Sequence, residues 1–181
     1  VKGDSFYELF SNKGKKIQEL SKDYHYKNLG ISRKVKIDFI LNKYLKKEVI
    51  NKKLYLENFE SIVISKVKKS NYIYGIKNFL KNNYNNFNFF ISSATPTKEL
   101  LEIIEYKKIS KYFVEIMGSP KKKTEHIKYL INKYQLKNHE IILVGDTKND
   151  YLSAYKSKIN FIGVKNKYEE FKDYRFVIKN F

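Results

Sequence analysis

The sequence predicts an α/β protein: an all-helical N-terminal stretch followed by a doubly wound parallel sheet. Two observations carry this expectation. Up to about residue 70, apolar residues recur at helical spacing and strand-like alternation is missing. From Lys68-Lys69-Ser70-Asn71 onward, helical stripes alternate with short apolar runs rich in β-branched and aromatic residues. The expected division is a helical domain over 1–70 and an α/β domain over 71–181.

The elements follow in order. Phe6, Leu9 and Phe10 share one helical face, and Ile37, Ile40, Leu41, Tyr44 and Leu45 make a second stripe. Between them lies the polar turn Asn28-Leu29-Gly30-Ile31-Ser32-Arg33, with Ser32 placed as a helix N-cap. A third stripe runs Phe59, Ile62, Val63, Val67. In the second part, a helix carrying Ile76, Phe79 and Leu80 ends in the asparagine-rich turn 82–86, and a strand follows over Phe87–Ile91. Thr95-Pro96 is expected to open the next helix, threonine as N-cap and proline in the first turn, with Leu100, Leu101, Ile103 and Ile104 buried. A strand over Tyr112–Ile116, a helix over Thr124–Leu136 and a strand over 141–144 come next. A helix over Asn149–Lys156, a strand over Asn160–Val164 and a short strand near Phe176–Ile178 complete the series.

Composition narrows the function. Aromatic residues at 16% and hydrophobic residues at 42% argue for a packed protein. With no cysteine, disulfides and thiolate metal sites are excluded. No apolar run approaches the ~20 residues that span a bilayer and no signal peptide is visible, so the expected location is the cytoplasm. The net charge of +18 raises nucleic-acid binding. Yet nearly all of it is lysine spread along the chain, with only Arg33 and Arg175 as arginines. Solvated lysine faces are therefore favoured over a nucleic-acid groove. The chain begins with Val1, not Met, and reads as a helix from the outset, so a fragment or processed product is expected.

Polar groups sit at three strand ends. Ser92 and Ser93 follow an apolar strand and lead toward a helix N-terminus, where backbone N–H groups attract anions. Lys121-Lys122-Lys123 opens the helix after the second strand, where the helix dipole disfavours a cation unless an anion faces it. Asp146 and Asp150 follow the run Ile141–Val144 and its glycine, four residues apart. They would suit a hard cation with water completing its shell, or else a turn and a helix cap. Hydroxyl, lysine and paired carboxylates in that order form a constellation for phosphate plus a divalent cation. His25, His126 and His139 are too scattered for a metal site and read as structural or solvent-exposed.

Three motifs then follow one another. They are Phe89-Phe90-Ile91-Ser92-Ser93; Gly118-Ser119-Pro120 with Lys123-Thr124-Glu125-His126-Ile127; and Gly145-Asp146-Thr147-Lys148-Asn149-Asp150 with Ala154 and Ile162-Gly163-Val164 behind it. They resemble the second, third and fourth motifs of the haloacid dehalogenase superfamily, in particular its phosphoglycolate-phosphatase-like hydrolases. Ile109-Ser110-Lys111-Tyr112-Phe113 is similar to the approach to the third motif, and Tyr74-Gly75-Ile76 to the return from cap to core. The resemblance implies a Rossmann-like parallel-sheet core with an all-α helical cap. It also implies a Mg²⁺-dependent phosphatase acting on a small phosphorylated metabolite, such as phosphoglycolate or a sugar phosphate, through an aspartyl-phosphate. Ser92 would bind the phosphoryl group, with Ser93 beside it. Lys123 would neutralise the phosphoryl group, and Asp146 and Asp150 would position Mg²⁺. Neither nucleic acid nor membrane is an expected partner.

The family's first motif, Asp-x-Asp after the first strand, supplies its nucleophile and does not occur in this sequence. The core is thus expected to lack its first strand, leaving two unpaired sheet edges. These residues alone are expected to be inactive and poorly stable, with a preceding segment in the intact protein. In the cap, Gly30-Ile31-Ser32-Arg33 with Lys36 resembles a segment of the phosphoglycolate-phosphatase-like members. Arg33 would pair bidentately with a substrate carboxylate or phosphate, or else join a salt bridge within the cap. Alternatives to the phosphatase are a β-phosphoglucomutase-like phosphomutase, a non-catalytic degenerate relative, and a lysine-rich nucleic-acid binder.

Overall fold

The computed structural model describes residues 1–29, 31–45, 51–165 and 176–181. Gly30 of the cap segment and Arg175 lie outside the described residues. The chain forms two compact units, Val1–Ser70 and Asn71–Phe181.

The first unit packs helices α1 (Lys2–Leu9), α2 (Lys15–Lys27), α3 (Arg33–Tyr44) and α4 (Lys52–Lys69). Its core is the three expected stripes brought together: Phe6, Leu9 and Phe10 meet Ile37, Ile40, Leu41 and Leu45, with Phe59 and Val63 from α4. Each large side chain fully buried here contributes about 1.5–3 kcal/mol. Ser32 caps α3, its hydroxyl accepting from the Val35 amide at 3.4 Å. Ser21 is fully buried and donates to the Phe6 carbonyl at 3.0 Å, which joins α2 to α1 without leaving a polar group unmet.

A buried pair of bases departs from this apolar pattern. Lys36 is 2% exposed, its ammonium 3.1 Å from Nδ1 of His25, whose ring stacks on Phe6. Burial, with the Lys36 charge adding to it, pushes His25 down to about 3, and burial, aided by Lys2, pushes Lys36 down to about 8. A base whose folded pKa lies below its unfolded value binds fewer protons when folded, so stability rises with pH across the gap. For His25 that window is about 3 to the ordinary 6.5, and for Lys36 about 8 to 10.5. Replacing Lys36 with Met should raise the urea midpoint at pH 7 and remove the increase between pH 8 and 10. An unaltered alkaline increase in Lys36→Met would show that the buried ammonium is not its source.

The second unit begins with α5 (Ile76–Asn83) and continues β1 (Phe89–Pro96), α6 (Thr97–Tyr106), β2 (Phe113–Ser119) and α7 (Lys123–Tyr134). Then come β3 (Ile142–Gly145), α8 (Lys148–Lys156), β4 (Asn160–Val164) and β5 (Val177–Ile178). All strand pairings among the described residues are parallel. They form two sheets, β1-β2 and β3-β4-β5, rather than one. Among the described strands β1 pairs only with β2, and the outer edge of β3 has no partner. Ile142 and Val144 on β3 are correspondingly 55% and 42% exposed, high for β-branched residues of a parallel strand.

Two local expectations are corrected. The chain stays extended through Thr95 and Pro96, so Pro96 occupies the N-cap of α6, and no side-chain cap forms. The register irregularity between Ser92 and Pro96 lengthens the strand, and Gly118 on β2 permits it. A Cβ at Gly118 would lie 2.5 Å from both the Thr95 carbonyl oxygen and the Thr97 nitrogen. Leu101 is 41% exposed while Leu100, Ile103 and Ile104 are buried, because residue 101 stands about 100° around the helix from residue 100.

Candidate active site

Ser92 sits in β1 opposite Met117 of β2, so the strand register sets it beside the turn that feeds α7. Lys123 is the first residue of α7 and His126 follows three positions later, on the same helical face. The Lys123 ammonium donates to the Ser92 carbonyl and lies 3.2 Å from Asp150 Oδ1. His126 Nδ1 is 2.8 Å from Ser92 Oγ. One turn of helix thereby grips a single serine at both its backbone and its hydroxyl oxygen.

Asp150 reaches the cluster from the opposite side. Thr147 caps α8, and Asp150 occupies the third helical position, its Oδ2 accepting from the Thr147 amide at 3.1 Å and hydroxyl at 2.8 Å. This reciprocal capping box orients the carboxylate, while Oδ1 faces Lys123. The two readings open from sequence are compatible: Asp150 caps its helix and presents an oxygen to the cluster. Gly145 makes the room, since a Cβ there would stand 2.4 Å from Asp150 Cβ.

The structure separates the sequence-predicted residues into two groups. Ser92, Lys123 and Asp150 are joined by direct contacts, and Asp146 lies exposed at the end of β3. Ser93 is beside Ser92, but its hydroxyl accepts from the Thr95 amide at 3.1 Å, so it serves the extended turn. Neither serine stands at a helix N-terminus as expected, because β1 runs four residues beyond Ser92. Ser32, Arg33 and Lys36 belong to the helical unit. Ser32 caps α3, Arg33 pairs with Glu60 at 3.7 Å, and Lys36 is buried against His25.

The residue that sequence reasoning passed over is His126. It is 3% exposed, and burial lowers its pKa below the ordinary histidine value, with Lys123 adding to the effect and a hydrogen bond to the Gly118 backbone opposing it. The available signal was its position three residues after Lys123.

The acidic donors also bear on a metal. Asp146 follows β3 and Asp150 lies in the first turn of α8, both with hard oxygen donors, and no group of three or more His, Cys, Asp or Glu suited to a metal occurs among the described residues. Carboxylate oxygens are the donor type Mg²⁺ takes, with waters and phosphate oxygens completing its shell, although here Asp150 spends Oδ2 on Thr147 and Oδ1 on Lys123.

The family of haloacid dehalogenase-like hydrolases matches residues 4–164, and the chain belongs to that family. A phosphoglycolate phosphatase of Vibrio parahaemolyticus is 38% identical over 73 residues, covering 38% of this chain and 32% of the relative. The matched region thus spans about a third of the length of the curated relatives. Among solved structures, a candidate phosphatase from Clostridium difficile has a TM-score of 0.75 at 22% identity, covering 100% of this chain and 89% of the other. The candidate HAD-hydrolase YfnB from Bacillus subtilis, bound to magnesium, has a TM-score of 0.76 at 12% identity, covering 99% and 86%. These likenesses show the fold: a Rossmann-like parallel-sheet core with a helical cap.

Gly145→Ala should destabilise the protein by about 1–3 kcal/mol, because the new methyl group must displace Asp150 and break its capping box. Thermal unfolding measures this, and a melting temperature equal to wild type would contradict the close approach.

Proposed function

We propose that the intact protein is a Mg²⁺-dependent phosphoric monoester hydrolase acting on a small phosphorylated metabolite, such as phosphoglycolate or a sugar phosphate. The observation that carries this reading is the contact of one lysine ammonium, Lys123, with the Ser92 carbonyl and the Asp150 carboxylate at the strand ends. Open α/β folds bind ligands at the carboxyl ends of their strands. Phosphoryl transfer asks mainly for positioning and charge stabilisation, which these groups suit.

Each residue has a distinct part in the proposal. Lys123 offsets the negative charge of the phosphoryl group, and its bond to the Ser92 carbonyl keeps the ammonium beside the serine hydroxyl. Ser92 donates its hydroxyl proton to a phosphoryl oxygen. Asp146 and Asp150 hold Mg²⁺, which when bound would draw off phosphoryl charge and orient the group. The aspartyl nucleophile that the family resemblance implies is not among residues 1–181, so these residues alone are expected to form no aspartyl-phosphate.

In the intact protein, Lys123→Ala and Asp146→Ala should each lower hydrolysis of p-nitrophenyl phosphate by at least about a hundredfold. Asp146 is the cleaner metal-site test, because Asp150 also caps α8. Unchanged turnover in both variants sinks the assignment. Chelation with EDTA should abolish turnover and added Mg²⁺ restore it; activity indifferent to EDTA would remove the metal from the proposal. Inorganic phosphate as product supports hydrolysis, whereas an isomerised phosphate identifies a phosphomutase.

A further inference from the structure

The hydroxyl of Ser92 has one proton to give. A phosphoryl dianion offers only acceptors, so a serine that binds it must direct that proton toward it. The lone pairs of Ser92 Oγ then need a donor of their own, and the neighbour at hydrogen-bond distance is His126 Nδ1, at 2.8 Å. The ring is 3% exposed, too buried to exchange this partner freely for water. Lys123 and His126, one helical turn apart, close on the same serine from one face, so a shift in Ser92 would disturb both contacts together.

We infer that His126 is a positioning residue: its Nδ1–H donates to Ser92 Oγ, fixes the hydroxyl rotamer and leaves the serine proton free for the phosphoryl group. The inference rests on the phosphatase reading above, since it takes Ser92 as a phosphoryl ligand. It adds a residue outside the expected set, and His126 itself touches neither substrate nor metal. A histidine filling the core for packing alone would make the same burial. It would not couple energetically to the Ser92 hydroxyl.

The test is a double-mutant cycle in the intact protein, with p-nitrophenyl phosphate as substrate and Mg²⁺ present. His126→Leu should lower kcat about tenfold with KM within about twofold, the loss expected for one misdirected hydrogen bond. In the Ser92→Ala background the same change should cost less than about twofold, because the hydroxyl it acts through is gone. His126→Asn, whose amide can reach the position of Nδ1, should recover most of the loss. Losses that multiply in the double variant would overturn the inference, as would an asparagine variant no better than leucine. A second measurement keeps the idea testable if the leucine variant fails to fold. In ¹⁵N-imidazole spectra of the wild type saturated with inorganic phosphate, Nδ1 of His126 should carry a proton, and Ser92→Ala should shift its signal. An unprotonated Nδ1, or a ring signal unmoved by Ser92→Ala, would overturn the positioning role. A folded wild type without turnover or phosphate binding would overturn the phosphatase reading itself, and this inference with it.

Discussion

Among the described residues the α/β unit shows two parallel sheets with no shared ladder, and the Lys123–Asp150 ion pair crosses from the first to the second. Lys123 starts the helix after β2 and reaches back to Ser92 on β1, while Asp150 belongs to the helix after β3. Both side chains are largely shielded, at 18% and 7% exposure, so removing either partner leaves a poorly hydrated charge behind. Around this pair the other placements follow. The capping box aims Asp150, Gly145 admits it, and the register of β1 on β2 brings Ser92 under the ammonium. A single cation thereby joins the Ser92 backbone to the Asp150 carboxylate.

Much of this fold was legible in the sequence because its signals are local. The stripes at Phe6, Ile37 and Phe59 met in one core, and Ser32 capped the helix it precedes. The strand at Asn160–Val164 lies where its apolar run placed it. Thr95-Pro96 was misleading for a physical reason: a proline that fits the first turn of a helix also fits the end of an edge strand. Tertiary contact at Gly118 decided between them. Lys36 was grouped with Arg33 on sequence pattern, yet one turned into the bundle and the other toward Glu60. Their surroundings arise from helices distant in sequence, which no local pattern encodes.

His126 shows the same limit within the site. Its contact with Ser92 joins residues 34 apart in the chain, so only the parallel pairing and the helix that follows it bring them together. The abundant lysines also hid the important one. Lys121, Lys122 and Lys123 are adjacent, and what distinguishes Lys123 is its reach to the Ser92 carbonyl and to Asp150 from the first position of α7. Elsewhere lysine settles acidic or aromatic neighbours, as Lys133 does with Glu115 and the Tyr129 and Tyr134 rings.

The buried bases of the helical unit have a consequence for how the whole chain denatures. His25 and Lys36 both lie within Val1–Ser70, and their depressed proton affinities are a property of that unit's core. Acidity acts on the helical unit through His25 and on the α/β unit through His126, whose proton affinity burial also lowers. In a protein made of two compact units, the Lys36 shift is what labels an unfolding step. A gain in stability across the Lys36 window, about 8 to 10.5, marks the helices. Lys36 thus acts as an internal marker of the helical unit's own unfolding step.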